Sequence, residues 1–258
     1  MKILTLNTWC RGELFENIKK FLVDERADFY FLQEVFNGNR QDLNEKFRAV
    51  NVFQKLFPTF HFYFSAAILD TRKKEGDVEN GQLLMSRWPF TSTEALFVDV
   101  PYGAYDEESM SDFSNFPSLI QKVTVSIDGK MLTLCNVHGP VNLKGREDDQ
   151  RRLRMRDILL GHITEHTIIA GDFNVCPETQ TIRSLEDRLT NVFKGKFETT
   201  FNTKWKDLKA QPGYATAVVD YVFVSKGIRV MRALSPKVDV SDHMPLAVEV
   251  EIVSRSGR

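Results

Sequence analysis

The chain has 258 residues, with 34 Lys and Arg against 35 Asp and Glu, for a formal charge of −1. That balance excludes a uniformly basic coat for indiscriminate nucleic-acid binding, although it leaves room for a local basic groove. Apolar residues make up 42% and charged residues 27%, which excludes a disordered or fibrous chain, and 20 Phe point to an aromatic-rich core.

Lys2 to Leu6 is a short apolar run that reads as a buried strand. Leu14, Phe15, Ile18, Phe21 and Leu22 follow at helical spacing, and Asp28 to Gln33 reads as a strand again. Gln41 to Phe57 has a mixed helical pattern. His61 to Ala67 and Gly81 to Trp88 read as strands. The polar, acid-bearing segments Asp70 to Asn80 and Gly103 to Asn115 read as surface loops bordering a site. Leu119, Val123, Val125 and Ile127 alternate as in a half-buried strand, and Asp128-Gly129 predicts a tight hairpin into a strand over Met131 to Val137. Arg146 to Ile163 reads as a helix, with Glu147, Asp148 and Asp149 in its first turn and Met155, Ile158, Leu159 and Ile163 on one stripe. Thr167 to Ala170, Val218 to Val224 and Leu246 to Ile252 are further strands, and Ser254 to Arg258 reads as a frayed tail.

Strands and helices mix without strict βαβ alternation, and no linker or internal repeat interrupts them. The expectation is one α+β domain over residues 1–258, a sandwich of largely antiparallel sheets with helices outside. No stretch approaches the roughly 20 uncharged apolar residues of a membrane span, and the N-terminus lacks a long apolar signal region. Cys10, Cys135 and Cys176 are odd in number and far apart, unlike a disulfide framework or a zinc pair, and read as packed free thiols in a cytoplasmic protein.

Polar residues at strand ends carry the chemical information, because a strand end projects side chains from a rigid scaffold toward solvent. Here they are Asn7, Glu34, His138, Asp172 with Asn174, and Asp242 with His243; Asp220 begins the apolar run Tyr-Val-Phe-Val. Singly, each reads as a turn former or a surface residue. As a set they suit hard-metal catalysis, since Mg²⁺ prefers oxygen ligands and uses one or two carboxylates. Glu34, Asp242 and the amide oxygen of Asn7 fit that preference. His138 and His243, which lack zinc-type spacing, suit proton transfer or contact with an anionic centre. Asp172 suits alignment of an attacking water, and Asn174 suits donation to a phosphoryl oxygen.

Six segments occur in order: Leu-Asn-Thr-Trp (6–9), Leu-Gln-Glu-Val (32–35), Asn-Val-His-Gly (136–139), Gly-Asp-Phe-Asn (171–174), Asp-Tyr-Val-Phe-Val-Ser (220–225) and Ser-Asp-His-Met-Pro-Leu (241–246). Together they resemble the endonuclease/exonuclease/phosphatase superfamily, and Gly-Asp-Phe-Asn and Ser-Asp-His-x-Pro are the specific signals. The resemblance implies a four-layer α/β/β/α sandwich and Mg²⁺- or Mn²⁺-dependent hydrolysis of a phosphoester. It also implies roles: Asn7, Glu34 and Asp242 hold the metal and its waters, Asp172 positions the attacking water, and Asn174 lies beside the phosphate. His243 pairs with Asp220, which fixes its tautomer, and His138 stabilises the transition state or assists the leaving group.

Two departures narrow the branch. Val218 stands where many relatives place Arg or Lys, and Thr8-Trp9 does not match the abasic-site enzymes, whose usual Tyr is His138 here. The resemblance therefore leans toward the deoxyribonuclease-like and sphingomyelinase-like branches. Nucleic acid is the favoured substrate, with a phospholipid or inositol phosphate as the alternative. Only 16 residues, none aromatic, separate Ser225 from Asp242, which leaves no room for a lipid-binding aromatic hairpin there. A non-catalytic binding module is disfavoured because no catalytic group is missing. Three further segments favour structural readings. Arg151, Arg152, Arg154 and Arg156 form a solvated helix face with Glu147–Arg151 and Asp148–Arg152 pairs. Phe60, Phe62, Tyr63 and Phe64 pack into the core rather than stack on bases, and Arg87-Trp88-Pro89 makes a turn.

Overall fold

The computed structural model describes residues 1–72, 74–106, 109–110, 112–142 and 145–253; the expected tail at Ser254 to Arg258 lies outside them. In chain order the elements are β1 (Lys2–Asn7), α1 (Phe15–Glu25), β2 (Phe29–Asn37), α2 (Ala49–Leu56), β3 (His61–Arg72), β4 (Gly76–Ser86), β5 (Phe90–Phe97), β6 (Gly103–Tyr105), β7 (Leu119–Ile127), β8 (Lys130–His138), α3 (Gln150–Gly161), β9 (Thr167–Asp172), α4 (Gln180–Glu186), β10 (Thr190–Asn191), β11 (Asp220–Val224), β12 (Ile228–Leu234) and β13 (Leu246–Ile252). One sheet runs β12-β13-β1-β2-β4-β3-β6 and the other β10-β11-β9-β8-β7-β5. Most neighbours are antiparallel; β1–β2, β8–β9 and β3–β6 are parallel.

Three cores separate four layers. Between the sheets, Ile3, Phe29 and Phe31 face Leu134, Ile168 and Val222. Leu4, Leu6 and Tyr30 pack outward on Ile18 and Leu22 of α1 and Phe53 of α2. On the far side, Cys135, Ile169 and Phe223 pack on Met155 and Leu159 of α3 and on Ile182 of α4. This is the α+β sandwich expected from the sequence. It also explains why β1 and β9 read as continuous apolar runs: both faces of each are covered, one by helices and one by the opposite sheet. The Asp128-Gly129 hairpin forms, with positive φ at both residues (50° and 77°), the geometry a two-residue primed turn needs. No helix among the described residues is long and apolar enough to cross a membrane.

Several local expectations change. Asp70 to Asn80 is not a surface loop but the distal end of a long β3–β4 hairpin, with Asp70, Thr71 and Arg72 paired to Val78, Asp77 and Gly76. Asp70 is fully buried, and its charge is met by Arg72 at 2.5 Å, whose guanidinium stacks 4.9 Å from the Phe36 ring. Part of the second expected loop, Gly103–Tyr105, pairs with β3; residues 107, 108 and 111 of that stretch, like Lys73 of the first, lie outside the described residues. Helix α3 starts at Gln150 rather than Arg146, because the Asp149 side chain accepts from Arg152 N at 2.9 Å and caps it. Asp148 instead accepts from Gln180 N at 2.5 Å and Thr181 N at 3.1 Å at the start of α4.

The expected Glu147–Arg151 and Asp148–Arg152 pairs do not form. Arg151 makes a two-pronged bond to Asp99 at 2.7 and 2.8 Å, and Arg152 is buried with its guanidinium on the carbonyls of Glu147 and Gly145. Phe60, Phe62 and Phe64 pack into the helix-facing core and Tyr63 against the inter-sheet core. Arg87 pairs with Asp28 at 2.9 Å, at the end of β2 opposite Glu34. Cys135 and Cys176 are free thiols, and burial pushes Cys135 up to about 12.

Candidate active site

The two parallel strand pairs explain why distant residues meet. Parallel neighbours point their C-terminal ends to one edge of a sheet, so each pair delivers two strand ends together. In the first sheet Asn7 lies opposite Gln33, which places Asn7 beside Glu34. In the second, His138 lies opposite Asp172, and antiparallel β11 adds Asp220 opposite Asp172. Facing sheets bring these two edges together.

A continuous set of contacts crosses the gap. Asn7 Nδ2 donates to Glu34 Oε1 at 2.8 Å and to Asp172 Oδ2 at 3.1 Å. His243 Nε2 lies 3.7 Å from Asp172 Oδ2, and its Nδ1 lies 3.0 Å from Asp220 Oδ2. His138 Nε2 stands 3.8 Å from Glu34 Oε1. Asn174 N donates to Asp172 Oδ1 at 2.9 Å, while its side-chain amide donates to the Gly139 carbonyl at 3.2 Å. Ser241 ties the last motif to the first, donating from Oγ to the Asn7 carbonyl at 2.6 Å and accepting from His243 N at 3.1 Å. The eight expected site residues thus fall within one neighbourhood, with Asp242 joined through its chain neighbours.

Two orientations differ from the simplest expectation. The Asn7 amide oxygen, expected to face a metal, accepts from Trp9 N at 3.0 Å, so the amide nitrogen faces the carboxylates. Asp242 Oδ2 takes the Lys206 ammonium at 2.5 Å. Lys206, Phe201 and Tyr214 escape detection by sequence because they lie in an irregular segment with no strand-end signal. Phe201 is nonetheless 4.5 Å from the His243 ring, and Thr200 Oγ1 accepts from Asp220 N at 3.2 Å.

Backbone geometry is specialised at the same places. Glu34 has φ of +58° at the bulge where β2 slips its register against β4 between Leu32 and Val35. A non-glycine residue there costs energy, and the bulge re-aims its side chain. The Glu34 Oε2 is held by Cys10 N at 2.7 Å. Asn174 also adopts positive φ, at +53°. At Gly171 an added Cβ would stand 2.0 Å from the Val137 carbonyl oxygen, so β8 and β9 approach more closely there than any side chain allows.

The electrostatics follow from burial and crowding. Desolvation disfavours the charged form of His243, but Asp220 and Asp172 outweigh it and raise its pKa to about 10. Burial also pushes the Glu34 carboxyl up. His138, the Asn7 amide and Cys10 N–H outweigh it and hold Glu34 below the usual carboxylate range. Asp172, Asp220 and His243 present ligand atoms within 4.8 Å of one another. Glu34 and Asp242 add two more carboxylates, giving four in total, against three basic side chains in contact with them, Lys206, His243 and His138. An oxygen-rich, net-negative cluster of this kind fits a hard divalent cation such as Mg²⁺ or Mn²⁺.

Comparison with known proteins agrees with this construction. Residues 4–243 match the Endonuclease/Exonuclease/phosphatase family. A UPF0294 protein of Vibrio vulnificus is 33% identical over 125 residues, 47% of this chain and 40% of that protein, so the match takes in less than half of either. An endonuclease/exonuclease/phosphatase from Beutenbergia cavernae superposes with a TM-score of 0.72 at 18% identity, covering 98% of this chain and 71% of that one. A mannosyl-6-phosphatase from Bacteroides thetaiotaomicron superposes with a TM-score of 0.70 at 16% identity, covering 97% of this chain and 99% of that one. With its matched residues running from β1 to the Ser-Asp-His turn that closes the site, the chain belongs to the endonuclease/exonuclease/phosphatase family.

Proposed function

We propose that this chain acts as one catalytic unit that hydrolyses a phosphodiester with Mg²⁺ or Mn²⁺ by attack of an activated water. The observation that carries the reading is the unbroken set of contacts from Asp220 through His243, Asp172 and Asn7 to Glu34. Asp172, held by Asn7 and by Asn174 N, accepts the proton of the attacking water. Asp220 accepts from His243 Nδ1–H and fixes the orientation of the ring, leaving Nε2–H directed toward Asp172 and the phosphate beside it. His243, charged between two carboxylates, stabilises negative charge on the phosphoryl oxygens. His138, partly exposed beside Glu34, serves the leaving group. Glu34 and Asp242 would hold the metal, and the Asn7 amide orients Glu34 for that task. The chemistry such a cation would supply is neutralisation of the negative charge that develops on the phosphoryl oxygens.

Nucleic acid is the substrate class we favour. Trp9 and Trp205 lie 5.6 Å apart beside Asn7 and Lys206, with Arg11 over one ring and Lys204 over the other. Aromatic rings interleaved with cations suit the stacking and phosphate contacts of a single strand. Free thiols suit a cytoplasmic, reducing location. A second reading, hydrolysis of a sugar, inositol or lipid phosphate, draws on the likeness to a protein described as a mannosyl-6-phosphatase. Turnover of single-stranded DNA, duplex DNA, RNA, sphingomyelin, inositol phosphates and mannose 6-phosphate with Mg²⁺ or Mn²⁺ separates the readings. Preference for a nucleic acid supports the first and preference for a small phosphate the second; turnover of none rejects the enzyme.

A further inference from the structure

Two rings beside His243 carry two cations whose charges are used differently. Phe201 and Tyr214 meet edge to face at 4.7 Å, and Phe201 lies 4.5 Å from the His243 ring. Lys206 Nζ sits 4.5 Å from the Phe201 centroid and 4.6 Å from that of Tyr214, and its charge is met by Asp242. The Arg146 guanidinium sits 4.7 Å from Tyr214 and 5.4 Å from Phe201, yet among the described residues it makes no ion pair. Its main chain is anchored to the site, because its carbonyl accepts from Cys176 N, two residues beyond Asn174, at 2.9 Å.

A guanidinium stacked on a ring keeps its in-plane N–H fork available for phosphate, which it grips at two points. Through the shared Phe201 ring, the steps of 5.4 and 4.5 Å place Arg146 no more than about 10 Å from His243. That span reaches past a phosphate under attack at His243 to another anionic group of the same molecule. Resting on the phosphoesterase reading above, we infer that Arg146, supported by Tyr214, binds a substrate phosphate other than the one cleaved. The substrate class is then one with at least two phosphates, either consecutive in a nucleic-acid strand or on one small molecule such as an inositol polyphosphate.

The test reads binding first, in chelator, so that it does not depend on turnover. A labelled ten-nucleotide single strand and an inositol polyphosphate are titrated into wild type, Arg146→Ala and Arg146→Lys, with circular dichroism as the check on folding. The expected result is at least tenfold weaker binding of one probe to Arg146→Ala, with Arg146→Lys intermediate because it keeps charge but loses the flat fork. The probe that wild type binds more tightly identifies the source of the second phosphate. Kinetics with Mn²⁺ add a split: Arg146→Ala loses at least tenfold more kcat/KM on that probe's class than on bis(4-nitrophenyl) phosphate, which has one phosphate. Equal binding by wild type and Arg146→Ala, or no binding of either probe by wild type, overturns the inference. Arg146-dependent binding without metal-dependent turnover of any ester overturns the phosphoesterase reading while leaving the anion site standing.

Discussion

Asp220 Oδ2 lies 3.0 Å from His243 Nδ1, although 22 residues separate them in sequence and both are buried. The carboxylate reaches this place as the first residue of β11, and the imidazole through the turn before β13, whose Ser241 Oγ accepts from His243 N. The pair leaves only Nε2 of His243 facing Asp172 and the position proposed for phosphate.

Asp220→Asn keeps the shape of that pair but removes the charge that holds His243 protonated and its ring oriented. The expected outcome is a fall in kcat of about 10²–10⁴ with an unchanged circular dichroism spectrum. A variant with wild-type kcat would show that His243 does not act through Asp220.

Beneath the site runs a buried belt of amides. Asn136 accepts from Gln33 Nε2 at 2.6 Å and donates to Gln121 Oε1 at 3.0 Å and to the Leu32 carbonyl at 3.1 Å, joining the two sheets. Asn136→Leu leaves several of these partners without a bond inside the core. Each orphaned group costs about 1–3 kcal/mol, so chemical denaturation should show a loss of at least 2 kcal/mol. A loss under 0.5 kcal/mol would mean that the belt relaxes around the gap.

Gly171→Ala tests the close approach of β8 and β9. The added methyl meets the Val137 carbonyl, and the backbone φ of +143° disfavours any side chain. We expect a loss of about 2 kcal/mol or more and reduced activity, since Asp172 follows directly. Thermal unfolding at the wild-type temperature would contradict the strand geometry.

The Asp99–Arg151 pair makes a pH-dependent contribution. Burial alone would raise the Asp99 carboxyl, but the two bonds from Arg151 and one from Val100 N outweigh it and hold it below the usual carboxylate range. A depressed folded-state pKa means that the stabilisation is full above the unfolded value of about 3.9. It is lost as pH falls through the lower folded value. Asp99→Asn should therefore unfold earlier than wild type at pH 7, by about 1 kcal/mol, and the gap should close toward pH 2. A gap independent of pH would assign the effect to packing.

Most of the candidate site was legible because each motif is local: an apolar run ends, and a polar residue follows it at the C-terminal edge of the strands. Asn7, His138 and Asp172 follow that rule, while Glu34 departs from it: β2 reads as ending at Gln33 but runs on to Asn37, and a bulge inside the strand turns Glu34 toward the site. Pairing of parallel strands then decides that these residues meet. What escaped the sequence depends on distant partners. Asp70 reads as surface because its acid is visible; its partner Arg72 is close in sequence, but the Phe36 ring on which that guanidinium rests comes from β2. Asp148 reads as part of the first turn of α3 because its real target, the N-terminus of α4, lies 32 residues away. Lys206 and Arg146 lack a local pattern altogether, and only the fold reveals that they share the rings beside His243.

The most direct measurement is the rate of bis(4-nitrophenyl) phosphate hydrolysis by wild type, Asp172→Asn and His243→Ala, with Mn²⁺ and with excess chelator. The account predicts turnover by wild type that stops in chelator and falls by about 10²–10⁴ in each variant. Wild-type rates in either variant, or hydrolysis that persists without a divalent cation, would contradict it.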